Sequence, residues 1–327
     1  MVLSFFSPSG YEAKKESSIA DIVVYLPVDS KSNCKRFLDL INPEIVVFVK
    51  SEIWPNYLNE IQKRKIKSLL ICAVYSTSQM KYSILKKAVL KFDYIFTQDE
   101  KSKDLFKSIG HNNVINSGDT RFDRVSLSKN LNEDVDYIKE FLSEKDCLIA
   151  GSSWGYDHEM IVNYINTSNS ELKYIIAPHE IHREEIETLK SSINKKTVLF
   201  SELNNENIKT ASVIIVDNIG TLSKLYKYAT LAYIGGGFNG EGKLHNTLEA
   251  AVFGLPIIIG KYYGKFPEAV SMIGNGGMFS VNNAESLKNK IDELIRDKEK
   301  LQKTGALNSS FIKKKIGATQ SILTNLK

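Results

Sequence analysis

The chain has 327 residues, room for about two domains of roughly 150 residues each. Hydrophobic residues make up 43% and charged residues 25%, a globular balance that excludes disordered, collagen-like and coiled-coil chains. Lys and Arg number 43 against 38 Asp and Glu, a net charge of +5 that is too dilute for a nucleic-acid binder and pulls only weakly toward anionic partners.

Short β-branched runs alternate with amphipathic stretches from the start. Residues 22–26, 45–49, 68–73 and 94–97 are apolar and bounded by polar breaks, the pattern of buried parallel strands. Helix patterns fill the intervals at 31–41, 56–65, 78–91 and 100–109. This rhythm predicts an open, mostly parallel α/β sheet covered on both faces. Residues 2–6 are a candidate strand, but the SPSGYE segment after them is not a G-x-G-x-x-G turn. The first domain is therefore expected to be incomplete, with a leading βα unit absent.

The pattern lapses after GDTRFD at 118–123, and a linker with a leading helix is expected over 126–146. A second series of strands is read at 148–151, 174–178, 197–200, 213–216, 231–235 and 256–260. Helices fit at 157–165, 182–191, 221–228, 246–253, 267–273, 284–296 and 298–324. The expected domains are 1–125, 147–300 and a closing helix over 301–327.

Cys34, Cys72 and Cys147 are scattered without a C-x-x-C pair and read as reduced, buried thiols. No apolar run approaches the roughly 18 residues of a spanning helix. The N-terminus lacks the charged region of a signal peptide, so a soluble or peripheral protein is expected.

The richest stretch is IGGGFNGEGKLHNTLEAAVFGLP, starting at Ile234. Its glycines follow a strand, so Gly236 and Gly237 can let a ligand approach the backbone. Asn246 stands at a helix start, and Glu249 lies one turn on, where a carboxylate suits the two hydroxyls of a ribose. In SEIWPN (51–56), Glu52 follows a strand at the carboxyl edge of the first sheet, placed to act as an acid or base or to bind a substrate hydroxyl. Ser152 and Ser153 end a strand in AGSSW and can offer N–H groups to a phosphate. The turn Ile219, Gly220, Thr221 and Leu222 can read a base edge. His179 and His182 flank Glu180 without a third ligand, so a polar anion-contacting loop is favoured over a metal site. Lys81, Lys86, Lys87 and Lys91 stud one predicted helix, suited to anionic lipid, to substrate phosphates or simply to solvent. Motifs of P-loop kinases, zincins and α/β-hydrolases are absent.

In order along the chain, SEIWPN, GDTRFD, AGSSW, DNIGTLSKLY and GGG…HNTLEAAVFGLP resemble the 3-deoxy-D-manno-octulosonate (Kdo) transferases of lipid A biosynthesis, a GT-B glycosyltransferase family. The resemblance implies two Rossmann-like domains facing across a cleft. It also implies a CMP-Kdo donor, a tetraacyl lipid A precursor (lipid IVA) as acceptor, inversion at the anomeric carbon, and no cofactor or essential metal. It places the enzyme at the cytoplasmic face of the bacterial inner membrane, peripheral to an anionic surface, with no nucleic-acid partner. Donor contacts carried over from the family are Ser152, Ile219, Gly220, Thr221, Leu222, Asn246 and Glu249, and Glu52 stands at an acceptor-side carboxylate. Ser153, His179, Gly236 and Gly237 complete the expected donor site, and Lys81, Lys87 and Lys91 the acceptor or membrane side. Two departures stand out. The family's anchor and the glutamate expected to be its base are expected to precede this chain's first residue, so that weak or no transfer is expected unless Glu52 has taken the role, and His179 stands where the family often has an Arg. The competing readings are a transferase using a UDP-sugar, a non-catalytic sugar-nucleotide binder, and a sugar-nucleotide epimerase.

Overall fold

The computed structural model describes residues 1–130 and 133–326, and these divide into two compact units. Unit 1 comprises residues 1–120 together with 317–327; unit 2 comprises 121–316.

Unit 1 opens with β1 (Val2–Phe5), α1 (Pro8–Lys14) and β2 (Ile22–Tyr25), whose strands form a parallel pair. The chain continues through α2 (Lys31–Ile41), β3 (Ile45–Val49), α3 (Pro55–Lys63), β4 (Lys67–Ala73), α4 (Ser83–Val89), β5 (Tyr94–Thr97), α5 (Glu100–Ser108) and β6 (Val114–Asn116). Strands β3 to β6 lie in sequence order in a parallel sheet. Strand β3 pairs only with β4 among the described residues. Its Phe48 is buried while Ile45, Val47 and Val49 are exposed, the period-two alternation of a strand with one uncovered face.

Helix α6 (Thr120–Asn130) leads into unit 2, followed by α7 (Ile138–Leu142), β7 (Cys147–Ser153), α8 (Gly155–Thr167), β8 (Lys173–Pro178), α9 (Arg183–Ser192), β9 (Thr197–Leu199), β10 (Val213–Ile215) and α10 (Leu222–Leu225). Then come β11 (Leu231–Ile234), α11 (Leu248–Ala251), β12 (Ile257–Ile259), α12 (Pro267–Gly274), β13 (Met278–Ser280), α13 (Ala284–Arg296) and α14 (Lys298–Lys315). All seven strands are parallel, in the order β13-β12-β11-β7-β8-β10-β9. Alternate residues feed two cores. Cys147 and Ile149 of β7 join one face with Ile175, Ile214 and Ala232, while Leu148 and Ala150 join the other with Tyr174, Ile176 and Tyr233. Strand order reverses between β7 and β11, and in open α/β sheets ligands bind at the carboxyl ends beside such a switch.

Several expectations are corrected. Of the linker and leading helix expected over 126–146, the helix is α7, while the stretch before it begins with the end of α6; both helices belong to unit 2, where Phe122 and Val125 of α6 and Ile138 and Phe141 of α7 are buried in the core. Leu131 and Asn132 of that stretch, and Lys327 at the chain end, lie outside the described residues. The single closing helix expected over 298–324 is two helices, broken where Gly317 takes φ +120°. Helix α14 stays with unit 2, and the second piece, α15 (Ala318–Thr324), joins unit 1. There Ile322 packs on Leu69 and Phe96, and Lys67 Nζ donates to the Leu326 carbonyl at 2.8 Å. The helix expected over 78–91 is also interrupted. Tyr82 is extended (ψ 122°), and Ser76, Ser78 and Gln79 bond to one another locally, which competes with helical bonding. Lys81 thus lies on a separate 3₁₀ turn, and Lys91, beyond α4, donates to Asn59 and Gln62 of α3.

Candidate active site

In unit 1 the SEIWPN segment is fixed by a residue 27 positions upstream of Asn56. The Asp29 carboxylate accepts from the backbone N–H groups of Asn56 (3.1 Å) and Tyr57 (3.0 Å), the open donors at the start of α3. Pro55 opens that helix, where its missing N–H costs nothing. Asn56 Nδ2 also donates to the Asp29 carbonyl at 2.7 Å, and Tyr57 O–H to the Pro27 carbonyl at 3.1 Å. Glu52 is exposed on this rigid base. Its Oε2 accepts from Trp54 Nε1 at 2.8 Å, and its Oε1 has no partner among the described residues. The Phe6 ring lies 4.7 Å from that of Trp54. Tyr75 is buried with its hydroxyl unpartnered, and burial, with the Glu52 charge second, pushes that hydroxyl far up.

In unit 2 the loops after β7, β8, β10 and β11 carry the expected donor residues. Asn246 Nδ2 donates to Glu249 Oε1 at 2.9 Å, and Asn246 Oδ1 accepts from the Leu248 backbone at 3.2 Å. One side chain thus both holds the first N–H of the short helix α11 and aims the carboxylate. Glu249 lines a cavity of about 430 Å³ with Arg124, Lys129, Ser223 and Lys224, and Arg124 Nη2 stands 3.8 Å from it. Ser223 and Lys224 directly follow the turn 219–222, where the Ile219 side chain is 94% exposed and Gly220 takes φ +93°. An apolar side chain so exposed is available to a flat ligand. Ser152 holds a left-handed backbone (φ +51°) at the end of β7.

Four of the expected contact residues pack against the protein itself. Ser153 is buried, and its hydroxyl bonds His158 Nε2 at 3.0 Å. Gly236 and Gly237 are buried and serve close packing within the unit: a Cβ at Gly236 would stand 2.1 Å from the Lys243 carbonyl, and one at Gly237 2.6 Å from the Gly260 nitrogen. On the side where a Cβ would stand, backbone meets backbone. His179 is exposed, and its ring stacks on Trp154 (4.5 Å) instead of joining Glu180 and His182.

Sequence reasoning missed the residue that joins these loops. Asp157 is fully buried, and its carboxylate accepts from the backbone N–H groups of Trp154 (2.9 Å) and Gly236 (2.9 Å) and from the Tyr233 hydroxyl. The acid at the third position of α8 was the only available signal, and it reads as ordinary capping.

Burial holds the His111, His158 and His245 imidazoles below their usual range, His245 down to about 4, with the His179 and Lys243 charges adding to the effect. Each binds its proton more readily unfolded than folded. Their contribution to stability is therefore complete above pH 6.5 and is lost as pH falls toward 4. Urea midpoints measured at pH 7.5, 6 and 5 are expected to fall in that order; a constant midpoint would contradict the burial argument.

Two Rossmann-like α/β units, one with a cavity beside a positioned carboxylate, make a GT-B-like fold. Residues 1–124 match the family described as 3-Deoxy-D-manno-octulosonic-acid transferase (kdotransferase), and residues 170–308 match Glycosyl transferases group 1. The chain is 29% identical over 308 residues to the 3-deoxy-D-manno-octulosonic acid transferase of Aquifex aeolicus, covering 92% of this chain and 80% of that protein. It is 28% identical to a bifunctional glycosyltransferase/methyltransferase of Fusobacterium nucleatum over 91% of this chain, and spans about half (48%) of that relative's length. The UDP-GlcNAc 2-epimerase of Neisseria meningitidis shares the fold with a TM-score of 0.65 at 15% identity, over 99% of this chain and 90% of that structure. The match to the Kdo transferase model is confined to residues 1–124, and a second Kdo transferase, that of Haemophilus influenzae, is 26% identical over 98% of this chain and 78% of that protein.

Proposed function

We propose that this protein transfers Kdo from CMP-Kdo to a lipid A precursor, with lipid IVA as the acceptor. The observation that carries this reading is the Asn246–Glu249 pair at the cavity beside the turn 219–222. Glu249 takes the ribose hydroxyls, a bidentate pairing that a neutral side chain cannot make as strongly. Ile219 and the turn behind it hold the cytosine, and Arg124 and Lys224 supply positive charge near the nucleotide.

Transfer requires the acceptor hydroxyl to lose its proton as the anomeric carbon becomes cationic. A positioned carboxylate contributes roughly 10²–10⁴-fold to such a step. Glu52 is assigned to the acceptor hydroxyl, with Trp54 holding one oxygen and the other left to accept. The reaction is proposed to need no metal. It is tested by incubating the chain with CMP-Kdo and lipid IVA, with and without EDTA, and reading the acceptor by mass spectrometry. A gain of one Kdo mass or more in both samples is the expected result. Turnover of a UDP-sugar, or nucleotide binding without transfer to any acceptor, would overturn the assignment.

No helix among the described residues is long and apolar enough to cross a membrane. The proposed membrane contact is the segment around α4, where Lys81, Lys86 and Lys87 are exposed beside Tyr82 (68%) and Ile84 (62%). Basic and apolar groups side by side suit an anionic bilayer surface, here proposed to be the cytoplasmic face of the inner membrane. Each lysine near such a surface contributes about 1 kcal/mol. Co-sedimentation with phosphatidylglycerol vesicles is expected to weaken at least about 10-fold in Lys86→Glu/Lys87→Glu, with little binding to phosphatidylcholine. Equal binding to both lipids would contradict it.

A further inference from the structure

Three aromatic side chains from three strand ends meet at the switch point of unit 2. Trp154 follows β7, His179 follows β8 and His245 lies in the loop after β11. The His179 ring lies 4.5 Å from the Trp154 ring and 4.2 Å from that of His245, between centroids. The Trp154 and His245 rings are near-coplanar, at 21°, and Trp154 Nε1 is 2.7 Å from His245 Nε2.

An indole N–H only donates, so His245 Nε2 must be the bare acceptor nitrogen. The hydrogen of the neutral ring is then on Nδ1, which has no acceptor among the described residues. Burial and the neighbouring His179 and Lys243 charges keep this imidazole neutral. Both partners are held in place from beneath. Asp157 accepts from the Trp154 and Gly236 backbones, and His245 N–H donates to the Gly235 carbonyl at 3.2 Å. A Cβ at Gly236 would come within 3.1 Å of His245 Cδ2, so the ring rests directly on the glycine turn. A neutral imidazole presents either a donor or a lone pair outward, and only the donor form welcomes an anion. The indole selects the donor form.

We propose that Trp154 is a positioning residue that fixes His245 as its Nδ1–H tautomer, and that this N–H donates to an anionic oxygen of the sugar nucleotide, a phosphate or a sugar carboxylate. The ligand half of this inference rests on the transferase reading; the tautomer half does not.

The first experiment is two-bond ¹H–¹⁵N correlation on the ligand-free full chain labelled in histidine. His245 is expected in the Nδ1–H form at pH 7, shifting toward Nε2–H in Trp154→Phe, which keeps a stacking ring and removes the donor. The Nε2–H form in the wild-type chain would overturn the proposal, and that reading needs no variant to fold.

The second experiment compares Trp154→Phe, His245→Ala and His245→Gln with wild type, after matching thermal midpoints. If the acceptor is the phosphate, CMP affinity falls about 10-fold in the first two while cytidine affinity holds. If it is the sugar carboxylate, CMP affinity holds while KM for CMP-Kdo rises about 10-fold and kcat changes less. Glutamine, which presents a carbonyl to Trp154 and an N–H beyond it, is expected to recover part of either loss. Unchanged CMP affinity together with unchanged donor KM in both disruptive variants would sink the ligand half. Failure of the wild-type chain to bind any nucleotide would overturn the transferase reading and the ligand half with it, while the tautomer measurement still decides the rest.

Discussion

Replacing Asp157 by alanine is expected to destabilise the protein by about 3 kcal/mol or more, among the largest losses a single side chain here can cause. Its carboxylate is the shared acceptor of the Trp154 and Gly236 backbone N–H groups and the Tyr233 hydroxyl. Tyr233 is fully buried, as is Gly236, so water cannot take over when the carboxylate is removed. Each abandoned buried donor costs about 1–3 kcal/mol. Asp157→Asn keeps the volume but turns one acceptor into a donor facing donors, and is expected to lose nearly as much. Urea unfolding followed by circular dichroism measures both. A loss below about 1 kcal/mol would mean that the three donors find other partners.

The second large effect falls on ligand binding. Glu249→Ala is expected to weaken CMP binding by about 10–100-fold, the value of hydrogen bonds from a charged acceptor to two hydroxyls. Glu249→Gln keeps the length and the bond from Asn246 in altered form, and is expected to fall between the two. Neither variant touches the Asp157 network, so thermal stability should stay within about 1 kcal/mol of wild type. Comparison with 2′-deoxy-CMP isolates the contact: the loss on removing the 2′-hydroxyl should be large in the wild type and small in Glu249→Ala. Equal losses in both would remove Glu249 from the ribose.

The parts of this protein that announce themselves in the sequence depend on local periodicity. The strands β3 and β5 and the helices α2 and α13 begin and end where apolar spacing predicts. Strands β6 (VIN) and β13 (MFS) were missed because each ends in a polar residue and offers no apolar run, unlike the equally short β10 (VII) and β12 (III). Helix α1 was missed because SPSGYE was weighed as a phosphate turn, whereas Ser7 Oγ accepts from Gly10 N–H and Pro8 opens a helix. Gly317 was legible as a breaker, but a long amphipathic run on either side outweighed it.

The candidate site divides in the same way. Asn246 and Glu249 are three residues apart, and one short helix brings them together. Asp29 and Asp157 could not be found so, because their partners lie 27 and 79 residues away and only the sheet topology unites them. The glycine string at Gly235 reads in the sequence as room for a ligand to approach the backbone. What fills that room is the protein's own backbone, from Ser152, Lys243 and Gly260, and sequence spacing carries no information about such a neighbour.

The most direct test of the central claim is calorimetric titration of the purified chain with CMP, UMP, GDP and ADP. The residues assigned to the nucleotide all lie in unit 2, on loops positioned by one parallel sheet. Binding of CMP at least about 10-fold tighter than the other three is the predicted result, a difference of about 1.4 kcal/mol. Tighter binding of UMP, or equal binding of all four, would contradict the assignment of this site to a CMP-activated sugar.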